Sequence, residues 1–295
     1  MDAVITRLMG GLGNQMFQYA AGYALATRLG VPLLLDRSFL DSRPPHMDWT
    51  ARPFELNAYQ IDPAFADADL VARIMRRSGS RWGHLLPHRP FTRWQHFREK
   101  DKQFDSGFDG LDAPVLIDGF WQNERYFLSV ADALRDRLFV PHGTPSEQNA
   151  AHAARIRSDR SASLHVRLGD YVTNAEAARY HGVCSWEYYR DAAAWLVEHH
   201  GVDHFHIFTD APEVVHSALR LPFAQTLIGH NAGADAYWDL WLMRQARHHI
   251  IANSSFSWWG AWLDPRPDKV VIAPRVWLAG DPRPNDILPS TWIAR

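Results

Sequence analysis

The stretch "GGLGNQMFQYAAGYALA", Gly10 to Ala26, is preceded by the β-prone "VITRLM" and followed by the short apolar run "VPLLLD". The whole reads strand, glycine turn, helix, strand, which is how an α/β fold opens. A helix N-terminus reached through glycines presents backbone N–H groups and the positive end of the helix dipole. Such an end suits a phosphate or a developing oxyanion. The two familiar phosphate motifs do not fit it. A Walker loop needs Lys and then Ser or Thr after its last glycine, where Asn14 and Gln15 stand; the dinucleotide fingerprint needs a third glycine where Met16 stands.

At 295 residues the chain suits two domains of ordinary size. Its 46% hydrophobic and 22% charged content are those of a globular protein, and no apolar run reaches membrane-spanning length. "MDAVITRLMGG" has an acid at position two and lacks a long apolar core, so no secretory leader is expected. The single cysteine, Cys184, excludes an internal disulfide and a thiolate zinc cage and points to the cytoplasm. A net charge of −2 argues against a general nucleic-acid binder.

One segment departs from that balance. Arg73 to Lys102 carries seven arginines and two lysines against Glu99 and Asp101, interleaved with Trp82, Phe91, Trp94 and Phe97. Two readings stand side by side: a solvated surface insert, and a surface that docks on the anionic inner face of a membrane or on a phosphate-bearing acceptor. The thirteen tryptophans add a weak pointer to carbohydrate, because indoles match the C–H faces and hydroxyls of sugars, although most simply fill cores.

From Ser38 to Lys102 repeated prolines predict an irregular region. Order returns with "VLIDG", a buried strand whose end places Trp121, Gln122 and Asn123 in a loop, followed by a helical run from Asn123 to Leu138. The Pro/Gly-marked "VPHGTPSEQN" divides the chain into domains 1–145 and 146–295. The second half alternates strands and helices, which implies a parallel, doubly wound sheet with ligands at the strands' C-terminal ends. Polar residues collect there: His165, Arg167 and Asp170 after one strand, Thr209 and Asp210 after another, Asn253, Ser254 and Ser255 after a third.

These ends have the makings of a nucleotide site. Arg167 offers a planar fork of donors for a pyrophosphate. Ser254 and Ser255, in a turn entering a helix, add hydroxyl and backbone donors. Asp210 is an acceptor fit for a guanine edge, and Phe256 is placed to stack on a base or ribose. Each has a plainer alternative, as surface ion pair, helix cap or turn residue. Metal chemistry is not signalled. The triplet Asp67-Ala68-Asp69 reads as an acidic helix start, and His199, His200, His204 and His206 straddle a helix end, a turn and a strand with no ligand spacing.

The motifs "GGLGNQMFQYAAGYALA", "DGFWQNERYF" (118–127), "HVRLGDYV" (165–172), "FTDA" (208–211), "DLWLM" (239–243) and "IIANSSFSWWGAWL" (250–263) together resemble the bacterial α-1,2-fucosyltransferases of glycosyltransferase family 11. The resemblance runs from end to end. It implies a GT-B architecture, two Rossmann-like domains facing across a cleft, with an acceptor-side N-terminal domain and a C-terminal domain for GDP-β-L-fucose. It also implies metal-independent transfer with inversion to the 2-hydroxyl of a galactose in an oligosaccharide or lipid-linked glycan. The family's "HxRRxDY" appears as His165, Arg167, Asp170 and Tyr171, with Leu168 in place of a second arginine. Carried over residue by residue, the resemblance gives Arg167, Asp170 and Asn14 catalytic roles. Gly11, Gly13, Gln15, His165, Asp210, Ser254, Ser255 and Phe256 become donor-binding residues. Asp170 is left as either the general base or the carboxylate that orients Arg167. Two alternatives remain: a non-catalytic glycan- or nucleotide-binding protein on the same fold, and a transferase of another donor or linkage.

Overall fold

The computed structural model describes residues 2–42, 52–78, 93–158, 160–168, 182–281, 283 and 285–295. The chain divides into two compact units, Met1–Phe139 with Pro284–Ile287, and Val140–Arg283 with Leu288–Arg295.

The N-terminal unit runs β1 (Val4–Arg7), α1 (Leu12–Leu29), β2 (Leu33–Asp36), α2 (Ala68–Ser78), β3 (Gln95–Arg98) and β4 (Val115–Asp118). Its four strands pair in parallel in the order β2-β1-β4-β3. Val4, Ile5 and Val115 to Ile117 have no exposed surface, as a sheet covered on both faces requires. Successive residues of a strand face opposite ways, and the two helices divide β1 accordingly. Gly22 of α1 lies against Thr6, where an added Cβ would meet Leu33 at 2.8 Å. Val71 and Ile74 of α2 pack on Ile5 and Leu116. At its far end α1 stops at Gly30 in the left-handed conformation, whose N–H closes on the Ala26 and Thr27 carbonyls.

Among the described residues the span read from sequence as irregular holds short helical turns at Ser38–Asp41 and Leu56–Ala58, a full helix and a strand. Asp67 does begin a helix, its Oδ1 accepting the Leu70 amide at 2.7 Å, and α2 follows it. Strand β3, "QHFR", sits at a sheet edge, where a half-exposed ladder needs no apolar alternation to form. In contrast, the helical run expected from Asn123 to Leu138 is broken into 3-10 turns at Glu124–Tyr126 and Leu128–Val130, one α-turn at Ala131–Ala133 and a wider π-turn at Leu134–Leu138.

The C-terminal unit runs α3 (Glu147–Ser158), β5 (Ser161–Val166), α4 (Trp186–His200), β6 (His204–Thr209), α5 (Pro212–Ala218), β7 (Ala224–Ile228), α6 (Tyr237–Met243), β8 (His248–Ile250), α7 (Ser255–Trp262), β9 (Val271–Ala273) and β10 (Ile293–Ala294). Its parallel sheet has the order β7-β6-β5-β8-β9-β10. The chain winds outward from β5 in one direction and then restarts at β8 in the other, the dinucleotide-fold order with a switch point between β5 and β8. In the N-terminal sheet the chain runs from β1 to β2, crosses to the far edge at β3 and returns inward to β4, so β1 and β4 are central neighbours and their C-terminal ends form its switch point.

Helix α4 shows how local sequence sets these elements. Ser185 caps it by accepting the Tyr188 amide at 3.1 Å, Gly201 ends it in the left-handed region, and Tyr189, Ala192, Ala193 and Leu196 form its buried stripe. Trp258, Trp259 and Trp262 of α7 are wholly buried, as is Trp121. These four indoles fill cores and offer no face to a sugar.

Beneath the C-terminal switch point, β5 and β8 are joined by a buried polar chain. His249 Nε2 donates to Asp264 Oδ2 at 3.0 Å, since a carboxylate only accepts, and the neutral ring then accepts from Ser163 Oγ at 2.8 Å. Arg266 completes it with a two-pronged contact to Asp264. Burial holds the His249 ring neutral, while His249 and Arg266 hold the Asp264 carboxyl well below the usual range. This has the composition of a hydrolase triad, but His249 and Asp264 have no accessible surface. It ties strands together.

Candidate functional site

Chemistry-bearing side chains gather at the two switch points, one in each unit. At the N-terminal one, Gly10 turns the chain out of β1 at φ +74, and a Cβ there would lie 2.6 Å from Asn14 Nδ2. Gly11 forms the N-cap of α1, its carbonyl accepting the Asn14 and Gln15 amides at 2.9 and 3.0 Å. No side chain caps this end, and no acid stands in its first turn, so the positive pole of an 18-residue helix is left uncancelled. Gly13 is buried in that turn, and Asn14 is half-buried.

Gln15 takes a different place from the one the sequence suggests. It is wholly buried. Its Nε2 donates to the Gly10 and Pro53 carbonyls, each at 2.8 Å, and its Oε1 accepts the Glu55 amide at 2.9 Å. The side chain braces the glycine turn from behind, with both amide hydrogens spent on backbone carbonyls. Gln18 repeats the device, accepting the Met9 amide at 2.9 Å.

Across the switch point, the loop after β4 supplies Gln122, whose Nε2 donates to Asn14 Oδ1 at 2.8 Å. The preceding residue, Trp121, has φ +56, a left-handed conformation worth about 1–3 kcal/mol of strain for a side chain of this size. Glu99, just past β3, accepts the Phe120 amide on one oxygen at 2.7 Å and the Trp121 amide on the other at 3.0 Å. Burial pushes its carboxyl up to about 7 against the pull of those two amides.

The C-terminal switch point is built from charge and rings. Arg167, immediately beyond β5, donates through Nη1 to the Asp210 carboxylate at the end of β6. The other Asp210 oxygen accepts the Leu168 amide at 3.0 Å. The sequence reading gives Asp210 to a guanine edge; in the structure its two oxygens lie on the guanidinium and on the turn that carries it. His165 is 4% exposed, and its Nδ1 has no hydrogen-bond partner among the described residues. Burial pulls the ring down to about 4, with Arg167 acting in the same direction and Asp210 against it, so it is neutral near pH 7. Its face lies 5.5 Å from the Phe256 ring.

On the β8 side, Ser254 is the N-cap of α7, its Oγ accepting the Phe256 amide at 3.3 Å. Ser255 and Phe256, half-buried, form the first turn. Asn253 ties the loops beside them, donating to the Gly182 and Trp277 carbonyls at 3.1 and 3.2 Å. His165, Arg167, Asp210, Ser254, Ser255 and Phe256 therefore share the ends of three adjacent strands. Asp170 lies outside the described residues, as do Tyr171 and positions 79–92 of the basic segment.

Of the histidines noted in the sequence, His204 and His206 stack with ring centroids 4.6 Å apart. His199 Nδ1 meets the Trp195 carbonyl at 3.0 Å, and His204 Nε2 meets Thr226 Oγ1 at 2.8 Å. No group of three or more His, Cys, Asp or Glu side chains is placed to hold a metal among the described residues. Among them, too, no helix is long and apolar enough to cross a membrane.

Residues 84–294 match Glycosyl transferase family 11. The chain belongs to that family. Two Escherichia coli relatives extend the likeness over the rest of the chain. An alpha-1,2-colitosyltransferase is 34% identical, with 99% of both chains covered. The O-antigen biosynthesis glycosyltransferase WbnK is 29% identical, covering 97% of this chain and 98% of its own. Among solved structures, an arginine-to-lysine mutant of Arabidopsis thaliana FUT1 in complex with GDP superimposes with a TM-score of 0.53 at 12% identity. The overlap covers 92% of this chain and 70% of that one. The fold is thus GT-B, with two Rossmann-like domains, and this family 11 chain is a glycosyltransferase.

Within this family 11 chain, three residues of the switch points escape sequence reading. Arg52 lies alongside Gly11, its Cδ and Nε each 3.8 Å from where a Cβ would stand, placing a cation beside the α1 N-terminus. Gln122 is flagged by its position after a strand but not by any partner. Glu99 sits among basic residues, and only the parallel pairing of β3 with β4 carries it to the Trp121 turn.

Proposed function

We propose that this glycosyltransferase moves an L-fucosyl group from GDP-β-L-fucose to the 2-hydroxyl of a galactoside, with inversion and without a metal. The observation that carries the reading is the C-terminal switch point, where a braced guanidinium, an N-terminal helical turn of hydroxyl residues and an aromatic ring meet at a nucleotide-fold reversal. Arg167 and the first turn of α7 receive the charge that grows on the GDP leaving group as the C1–O bond breaks. Asp210 keeps the fork of Arg167 pointed by holding both it and the Leu168 amide. Neutral His165 lines the site without repelling Arg167, and Phe256 covers base or ribose. In the N-terminal unit, Asn14 with Gly11 and Gly13 at the α1 N-terminus acts on the transferring sugar, and Arg52 adds charge there. Asp170 keeps two roles, base for the acceptor hydroxyl and carboxylate on Arg167, and the pH–rate profile of Asp170→Asn separates them: loss of the acid limb supports the base, an unchanged limb removes it.

The acceptor is a galactose-ended glycan, free or lipid-linked. The α-1,2 linkage is supported by the name of the 34% identical relative. The same relative favours a second donor, the GDP ester of colitose, which is L-fucose lacking its 3-hydroxyl. A single assay separates these readings. Purified protein is given GDP-fucose or GDP-colitose with lactose in the presence of EDTA; GDP release is followed, and the product linkage is assigned by NMR. Fucosyl transfer to O2 with EDTA present is the expected result. Turnover of GDP-colitose alone moves the donor assignment, loss of turnover with EDTA removes the metal-free mechanism, and no turnover of either removes the transfer reading.

A further inference from the structure

Several features of the N-terminal switch point converge on one carboxylate. The Trp121 ring is wholly buried, stacked on Phe97 with centroids 6.0 Å apart and edge-on to Tyr126 at 5.2 Å. Its Nε1 finds no acceptor among the described residues. Apolar packing thus holds the ring, yet the backbone beneath it stands at φ +56, which a bulky residue adopts only when its surroundings impose it. Those surroundings are the two oxygens of Glu99 on consecutive amides, Phe120 and Trp121. The fit is close: a Cβ on Gly119 would lie 2.4 Å from the Cβ of Glu99. The residue leaving this turn, Gln122, reaches Asn14 at 2.8 Å.

The choice of side chain is informative. Two adjacent amides need two acceptor atoms side by side, which only a carboxylate has; a glutamine would set its own NH2 against one of them. The carboxylate is kept although burial opposes its charge, with Asp101 adding to that opposition and Lys102 relieving it.

We propose that Glu99 is a positioning residue for glycosyl transfer: by holding the Phe120 and Trp121 amides it fixes the left-handed turn that delivers Gln122 to Asn14, and so sets Asn14 at the α1 N-terminus. The inference rests on the reading of Asn14 as part of the transfer machinery.

The test is a double-mutant cycle on the full chain with the donor that the wild type turns over, comparing Glu99→Gln, Gln122→Ala and the double variant. Each single variant is expected to lower kcat by about ten- to a hundredfold while donor KM stays within about twofold. The double variant is expected to be no slower than the slower single, because both act through the same contact. Melting temperature and near-ultraviolet circular dichroism confirm the fold, and if Glu99→Gln does not fold, Gln122→Ala, which removes the last link alone, carries the test. An unchanged kcat in Gln122→Ala, or losses that multiply in the double variant, overturns the proposal. Absence of wild-type turnover is a different failure, that of the transfer reading itself.

Discussion

The two switch points solve the same topological problem with different materials. In the N-terminal unit the meeting of β1 and β4 is built largely from backbone and neutral amides, Gly10, Gly11 and Asn14, braced by Gln15 and met by Gln122, with one cation, Arg52, beside the α1 N-terminus and one carboxylate, Glu99, behind the Trp121 turn. In the C-terminal unit the reversal between β5 and β8 carries an ion pair, a buried imidazole and a ring, above a buried Ser163–His249–Asp264 chain. The contrast implies that the first site depends on shape and the second on charge. Disturbing the first should be read out mainly in stability and positioning; disturbing the second, in ligand affinity and rate.

The sharpest way to break that contrast is Arg167→Ala. Removing one oriented donor to a developing anion is expected to lower kcat by about 10²–10³, or about 3–4 kcal/mol. GDP binding by calorimetry should weaken as well. Its partner Asp210 retains access to solvent, with side-chain exposure of 27%, so the melting temperature should move little. An Arg167→Ala protein that binds GDP normally removes Arg167 from the site.

Gln15→Ala should do the opposite. It strips partners from the Gly10 and Pro53 carbonyls and the Glu55 amide, costing on the order of 3 kcal/mol of stability at about 1 kcal/mol per buried group. Chemical denaturation measures this, and GDP affinity at low temperature should match the wild type. Weakened GDP binding with unchanged stability would erase the distinction between the sites.

The smallest effect concerns pH. His165 titrates near 4 when folded, below its ordinary value of 6.5. The unfolded chain therefore takes up this proton first as pH falls, and stability is full above about 6.5 and declines towards 4. Between pH 7 and pH 5 the decline from this one ring is about 2 kcal/mol. His165→Phe should flatten that part of the melting-temperature profile, whatever its stability at pH 7. Burial pulls His248 down to about 4 as well, so a reduced slope is the expected result, and a slope equal to the wild type's removes the contribution of His165.

How far these features are legible in the sequence depends on where their partners lie. The strand-glycine-helix opening is legible because turn, cap and apolar helix are contiguous from Gly10 to Ala26. The Ser254 cap and the position of Arg167 beyond a strand are legible for the same reason. Strand β3 is not, because as an edge strand it carries "QHFR" with no apolar alternation. The run from Asn123 reads as one helix because spacing does not report the breaks between successive turns. Contacts are not legible where the partner is distant: Asp210 meets Arg167 43 residues away, and Gln15 meets Glu55 40 residues away. Glu99 is the extreme case, since its significance depends on a ladder register and on a backbone angle at Trp121 that no residue pattern announces.

The return of the chain near its end has a practical corollary for engineering. Asp286 accepts the Phe104 amide on its carboxylate, and its carbonyl receives the Asn123 side chain at 2.9 Å, so residues far along the polypeptide complete the first compact unit. A chimaera that exchanges C-terminal units between relatives by a single splice near residue 140 would import a foreign strap into the N-terminal unit. Grafting at two seams, keeping 284–287 with its native host, preserves the parts that belong together.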